Sequence, residues 1–300
     1  VTALLEVRDL VVEYPVRGGV FRAVDEVSFA VEAGKTLAIV GESGCGKSTI
    51  ARSIVRLLTP TSGQILLDGT DIAQLPEKKF RPMRSRVQMV FQDPYGSLDP
   101  HLTAEQIVAE AIKLRGAAMS AAERSAVAGA FLARVGLPES ARTRKPAEFS
   151  GGQRQRIGIA RALASSPELI VLDEATSALD VSVQAEILTL LADLQASTGV
   201  TFIVISHNLG VVREVSETVV VMSKGQIVER GSTIDVLRSP KHPYTRALRA
   251  AALDPATMTG RKPREAVAAV RAAAALGALP TTSVYVPAGV PDPLDAEPGV

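Results

Sequence analysis

The 300-residue chain has one cysteine, Cys45, and almost no net charge: 33 Lys and Arg stand against 32 Asp and Glu, leaving +1. A lone cysteine forms neither an internal disulfide nor a cysteine-only metal cage. Balanced charge gives no global electrostatic reason to bind nucleic acid. Long apolar runs are missing too. The candidates at 169–172 and 219–222 are strand-sized, far short of the ~18–20 residues of a membrane span. The first ten residues carry Glu6, Arg8 and Asp9, unlike a signal peptide. No repeat of fixed period is visible, which argues against solenoids and propellers. What is present is ordinary: 46% hydrophobic and 22% charged residues exclude disorder of the whole chain. At about 150 residues per domain, one or two domains are expected. The expectation is a soluble, intracellular protein.

Local patterning points to an α/β fold. Residues 4–14 and 23–31 alternate apolar and polar side chains, as half-buried strands do. The short apolar run 36–40 leads straight into a glycine-rich turn, after which 50–58 has helical spacing. Residues 65–68 and 87–91 read as further strands. The stretch 103–144 is rich in Ala, Glu and Arg, with Ile107, Ala111 and Leu114 at helical spacing, and reads as a helical insertion. From residue 169 strands and helices alternate (169–172, 183–195, 201–205, 209–215), the pattern of a parallel core sheet. A closing hairpin is expected around Lys224-Gly225. Beyond 253, an Ala-rich helix is expected at 264–279 and a poorly ordered, Pro-containing end at 281–300.

Two segments carry recognisable chemistry. Gly41-Glu42-Ser43-Gly44-Cys45-Gly46-Lys47-Ser48-Thr49 matches G-x-x-x-x-G-K-[ST] between a strand and a helix. Glycines let successive backbone N–H groups turn inward around phosphate oxygens, and the helix start adds positive partial charge. In such a loop Lys47 reaches the β- and γ-phosphates and Ser48 ligates Mg²⁺. The motif implies a bound nucleoside triphosphate without choosing among kinases, GTPases, helicases and transport ATPases. The second segment is Leu169-Ile170-Val171-Leu172-Asp173-Glu174. A buried parallel strand delivers both acids to the carboxyl edge of the sheet, where ligands bind. There Asp173 can hold Mg²⁺ and Glu174 can polarise the attacking water. Read alone, the pair also suits a helix cap.

Phe149-Ser150-Gly151-Gly152-Gln153 opens a helix running to about 165. Here the chain resembles the ATP-binding-cassette (ABC) ATPases, whose signature is close to L-S-G-G-Q; Phe149 departs from its first position. Ser150 alone also reads as a simple N-cap. The resemblance covers about 4–253 and implies a P-loop NTPase ABC cassette: α/β, a mixed core sheet, an N-terminal antiparallel β subdomain and an inserted α-helical subdomain. It implies that Ser150, Gly151, Gly152 and Gln153 face the ATP of a partner cassette. Gln92 resembles the glutamine that links the metal site to the membrane partner. Ser177-Ala178-Leu179-Asp180 resembles the loop at the cassette–cassette interface. His207 resembles the histidine that contacts the γ-phosphate, and Tyr14 the aromatic that stacks on adenine, with Phe21 a nearby rival.

The resemblance assigns catalysis to Lys47, Gln92, Glu174 and His207, the metal to Ser48, Gln92 and Asp173, and nucleotide contacts to residues 41–49, Tyr14, 150–153 and Asp180. Val90-Phe91-Gln92-Asp93-Pro94-Tyr95-Gly96-Ser97-Leu98-Asp99-Pro100 and His242-Pro243-Tyr244-Thr245-Arg246-Ala247-Leu248 are similar to oligopeptide/dipeptide importers, whose relatives include nickel importers. The second stretch is equally a Pro-started helix. An ATP- and Mg²⁺-dependent importer subunit is implied, peripheral on the cytoplasmic face of the cell membrane. Its implied partners are a second cassette, identical or different, two membrane permeases and, indirectly, an extracytoplasmic binding protein, but no nucleic acid. The expected division is an ATPase domain at 1–240, with helices at 93–165, and a C-terminal module and flexible tail at 241–300. Those importers often carry a Cys-containing C-terminal segment; this chain has no cysteine after Cys45, so no iron–sulfur cluster is expected. A soluble cluster-assembly ATPase of the same family is the second reading.

Overall fold

The computed structural model describes residues 3–115, 119–177 and 179–253. β1 (Ala3–Val16) and β2 (Gly19–Glu32) form a long hairpin, and β3 (Thr36–Gly41) runs into α1 (Lys47–Ile54). β4 (Ser62–Leu67), β5 (Thr70–Asp71), α2 (Glu77–Phe80) and β6 (Val87–Val90) follow. Then come α3 (Pro94–Ser97), α4 (Ala104–Ile112), α5 (Ala121–Arg134) and α6 (Gly151–Ala164). β7 (Leu169–Asp173), α7 (Val181–Thr198), β8 (Thr201–Ser206) and α8 (Leu209–Val215) alternate before the hairpin β9 (Thr218–Ser223) and β10 (Gln226–Ser232). α9 (Thr233–Arg238) and α10 (Pro243–Leu253) close the described chain. The expected helix at 264–279 and the Pro-containing end lie outside the described residues.

The strands form two sheets. One is antiparallel, in the order β2-β1-β4-β5; the other has the order β10-β9-β3-β8-β7-β6. In the second, β6, β7, β8, β3 and β9 run parallel and β10 pairs antiparallel at the edge. β3, β7 and β8 are buried at every position. Sheets covered on both faces demand such continuous apolar runs. One face packs against α1 and the antiparallel sheet, through Ile39, Ile50, Ile54, Val171 and Ile203 with Leu5, Val24 and Ile65. The opposite face meets α4–α7 through Ile170, Leu172, Val204, Ile107, Ile157 and Ile187. A third cluster joins Ala38, Val40, Val219 and Val221 to Leu209, Val236, Tyr244 and Leu248.

Helix ends differ from the sequence expectation in two places. α1 stops at Ile54 although apolar spacing continues to Leu58. Arg56 takes φ 56°, and the Leu57 and Arg56 N–H groups turn back onto the Arg52 and Ser53 carbonyls. This is the six-to-one, five-to-two pairing that ends helices, made without its usual glycine. The Arg56 guanidinium supports the turn by donating to the Ile72 and Leu75 carbonyls and lying over the Phe80 ring. α7 begins at Val181 rather than 183, because the Asp180 carboxylate accepts from the Val183 N–H and caps it there.

Candidate nucleotide site

Parallel strands point their carboxyl ends the same way, so residues far apart in sequence meet at one sheet edge. Here that edge gathers Gly41 at the end of β3, Asp173 and Glu174 at the end of β7, His207 after β8 and Gln92 after β6. Gly41 has φ 150°, and a Cβ there would lie 2.3 Å from the Met222 carbonyl oxygen. Gly46 has φ 106°, and a Cβ there would lie 2.4 Å from the Ala23 carbonyl oxygen. Glycine is therefore required by close backbone approach at both ends of the loop. The Cys45 carbonyl accepts from the Gly225 N–H at 3.1 Å, so the β9–β10 turn braces the loop.

Lys47 is only 4% exposed, and its ammonium donates to the carbonyls of Gly41 and Glu42, both at 2.8 Å. The buried charge is thus hydrogen-bonded and held inside the loop it serves. The Ser48 hydroxyl donates to Asp173 Oδ1 at 2.9 Å. Burial pushes the Asp173 carboxyl up from its ordinary value, and the Ser48 hydrogen bond partly offsets this. A mostly buried carboxylate beside a hydroxyl is an oxygen donor set that fits a hard cation such as Mg²⁺, whose charge would relieve that desolvation. Burial likewise raises the Cys45 thiol, against the pull of the Lys47 ammonium.

Glu174 Oε2 accepts from Gln92 Nε2 at 3.0 Å and lies 3.4 Å from His207 Nδ1. The Glu174 backbone sits at φ 47°, a left-handed conformation that costs a non-glycine residue about 1–2 kcal/mol. Its N–H donates to the Ile205 carbonyl, and its carbonyl accepts from the Ser177 N–H and hydroxyl. The neighbouring strand and turn therefore hold the strained residue where its carboxylate meets Gln92 and His207.

The remaining positions lie elsewhere. Ser150 caps α6, its hydroxyl accepting from the Gln153 N–H at 3.3 Å while the Gln153 side chain accepts from the Ser150 N–H at 3.1 Å. A Cβ on Gly152 would lie 2.4 Å from Val183 Cγ1, and one on Gly151 3.6 Å from Leu179. The α6 start thus packs on Leu179 and Val183, residues on either side of Asp180. Tyr14 faces Phe21 across the β1–β2 pair, and both rings are exposed. Ser43 and Gly44 form the exposed rim of the phosphate loop, and Thr49 lies in the first turn of α1. One contact had no counterpart in the sequence reading: the Glu42 N–H donates to the Tyr244 hydroxyl at 2.9 Å, across 202 residues. No local pattern could have signalled it.

The geometry agrees with the comparisons. Residues 24–177 match the family model described as ABC transporter. The chain is 53% identical over 257 residues to a probable peptide ABC transporter ATP-binding protein, y4tS, of Sinorhizobium fredii, covering 83% of this chain and 72% of that one. It is 49% identical to the oligopeptide transport ATP-binding protein AppF of Bacillus subtilis, over 82% of this chain and 77% of the relative. Among solved structures it resembles the ATP-binding cassette MJ0796, in a dimeric post-hydrolysis state bound to ADP and Pi. The TM-score is 0.71 and the identity 31%, covering 76% of this chain and 98% of that one. The chain belongs to the ABC transporter ATP-binding family.

Proposed function

We propose that this chain is the ATP-hydrolysing subunit of a peptide importer of the oligopeptide/dipeptide type. The observation that carries the catalytic part is the cluster beside the phosphate loop: Ser48 on Asp173, and Gln92 and His207 on Glu174. The names of the relatives at 53% and 49% identity support the peptide part; they lend nothing to the cluster-assembly alternative. In this reading the 41–49 backbone and Lys47 hold the triphosphate, and Tyr14 offers a ring to the base. Ser48 and Asp173, with Gln92 nearby, would hold Mg²⁺, which when bound neutralises phosphate charge. Glu174 accepts a hydrogen bond from water and aims its oxygen at the γ-phosphorus. As the water oxygen bonds to that phosphorus, the bond to the bridging oxygen breaks and the water proton passes to Glu174 and then to solvent, leaving ADP and phosphate. His207 donates to the γ-phosphate oxygens as negative charge shifts.

The Ser150–Gln153 helix start lies on a different part of the chain from Lys47 and serves the nucleotide of a second cassette, identical or different. Asp180 and its neighbours line that junction. No helix among the described residues is long and apolar enough to cross a membrane. Two permease subunits supply the pore, an extracytoplasmic protein delivers the cargo, and this chain sits peripherally on the cytoplasmic face. In this reading the ATPase domain spans 1–240, its helices at 93–165 pass motion to the permeases, and the C-terminal module begins at residue 241.

The test is Glu174→Gln, which keeps size and hydrogen bonding but removes the carboxylate. Steady-state hydrolysis should fall about 10²–10⁴-fold, while ATP affinity by calorimetry stays within about threefold of the original. Wild-type turnover by this variant would remove Glu174 from the role.

A further inference from the structure

The 242–248 stretch stood out in the sequence, yet nothing in the hydrolysis scheme uses it. We infer that Tyr244 is a positioning residue of the phosphate loop: its hydroxyl fixes the Glu42 backbone, so the start of the C-terminal module sets how well the loop receives a triphosphate. This rests on the reading that residues 41–49 hold ATP.

The path is continuous. The Glu229 carboxylate on β10 accepts from the Lys241 and His242 N–H groups at 2.8 and 2.9 Å. His242 Nδ1 accepts from the Tyr244 N–H at 3.2 Å. That fixes the first turn of α10, where Pro243 is already suited to the helix start. The Tyr244 ring is buried with Leu248 against Ala38, Val40 and Val221, residues of the strands leading into and flanking the loop. The aromatic body thus packs in the core while its polar tip finds a partner. That tip accepts from Glu42 N–H at 2.9 Å, and the carbonyl of the same residue accepts from Lys47 Nζ at 2.8 Å. Glu42 is therefore bracketed by the C-terminal helix on one side and the phosphate-binding lysine on the other. The Glu42 N–H shares its peptide with the Gly41 carbonyl, which also accepts from Lys47 Nζ at 2.8 Å, so a shift of that peptide would move a group on which the ammonium rests.

The test compares three variants of the full-length chain. Tyr244→Phe keeps the ring and deletes the hydroxyl. A single hydrogen bond of this kind is worth about a 3- to 10-fold change in an equilibrium constant. The Kd for ATP by calorimetry, and the KM of hydrolysis, should rise by that factor, with kcat at saturating ATP within about twofold. Leu248→Ala loosens the same helix without touching the hydroxyl. It should lower Tm more than Tyr244→Phe does, yet leave the ATP Kd within about twofold. An unchanged Kd in Tyr244→Phe overturns the inference. So does a Kd shift in Leu248→Ala that scales with lost stability, since Tyr244 would then be ordinary packing. Lys47→Ala separates the premise: ATP binding equal to wild type there would refute the loop assignment itself, whatever Tyr244→Phe does.

Discussion

Two helices of this chain begin at glycine-rich turns, and they begin differently. α1 starts at Gly46, which has φ 106° and no side-chain cap. Its loop is braced by the backbones of Ala23, Met222 and Gly225 and by the Tyr244 hydroxyl. α6 starts at Ser150, whose hydroxyl caps the Gln153 N–H while Gln153 answers onto the Ser150 N–H. Helix starts leave several N–H groups without intrahelical partners. At α1 no cap side chain among the described residues takes them, so they suit an anion, and the surroundings fix their direction. At α6 the chain caps part of its own start, and Ser150 and Gly151 are exposed. The first turns its free N–H groups into a loop braced from within the chain, and the second leaves its capped start open on the surface.

The sharpest break of that contrast is Lys47→Ala. It removes a buried cation from α1 and has no equivalent at α6. Losing charged hydrogen bonds to phosphate should cost about 2–3 kcal/mol, roughly 30- to 140-fold in ATP affinity by calorimetry. A loss of less than threefold would refute the placement of ATP in this loop.

Next in size is Ser150→Ala. Deleting the cap should cost about 1 kcal/mol of stability, seen as a Tm lower by a few degrees. ATP affinity of the isolated chain should stay within about twofold. ATP hydrolysis, measured as protein concentration is raised, should fall several-fold if, as proposed, an assembled pair uses this helix start. If Ser150→Ala weakened ATP binding by the dilute single chain, the two starts would serve one nucleotide and the contrast would collapse.

How far the sequence foretold this arrangement depends on range. The phosphate loop was legible because it lies within nine consecutive residues, 41–49, between a strand and a helix. The parallel core was legible because 169–172 and 202–205 are unbroken apolar runs that alternate with helical stretches, as strands of a sheet covered on both faces do. Asp173 and Glu174 could be placed at the ligand-binding edge because a parallel strand ends there, whereas Gln92 and His207 were assigned only through the resemblance to the ABC ATPases. The end of α1 was not legible: Leu57 and Leu58 keep the helical period, and the residue that breaks it, Arg56, is not a glycine. Its left-handed turn is held by Ile72, Leu75 and Phe80, which local spacing cannot report. The Tyr244–Glu42 bond failed for the same reason on a longer scale. The stretch around it was noticed as a Pro-started helix, but the hydroxyl's target depends on how α10 packs across the sheet.

The smallest effect sharpens the α1 side of the comparison. Cys45 sits inside the phosphate loop, 5% exposed, with its sulfur 3.9 Å from Lys47 Nζ. A nearby cation usually lowers a thiol and activates it, but here burial outweighs the lysine and raises it. The folded thiol therefore keeps its proton to higher pH than the unfolded one. Its contribution to stability is complete below the unfolded value and is lost as pH rises through the folded value. Alkylation of the native chain should be slow at neutral pH and should accelerate only above the ordinary thiol range of about 8.5. Mg-ATP should slow it further, since phosphates would cover the loop. A labelling midpoint below that range would show that Lys47 dominates and that the loop is more open than its bracing implies. Labelling indifferent to saturating Mg-ATP would place the nucleotide away from Cys45.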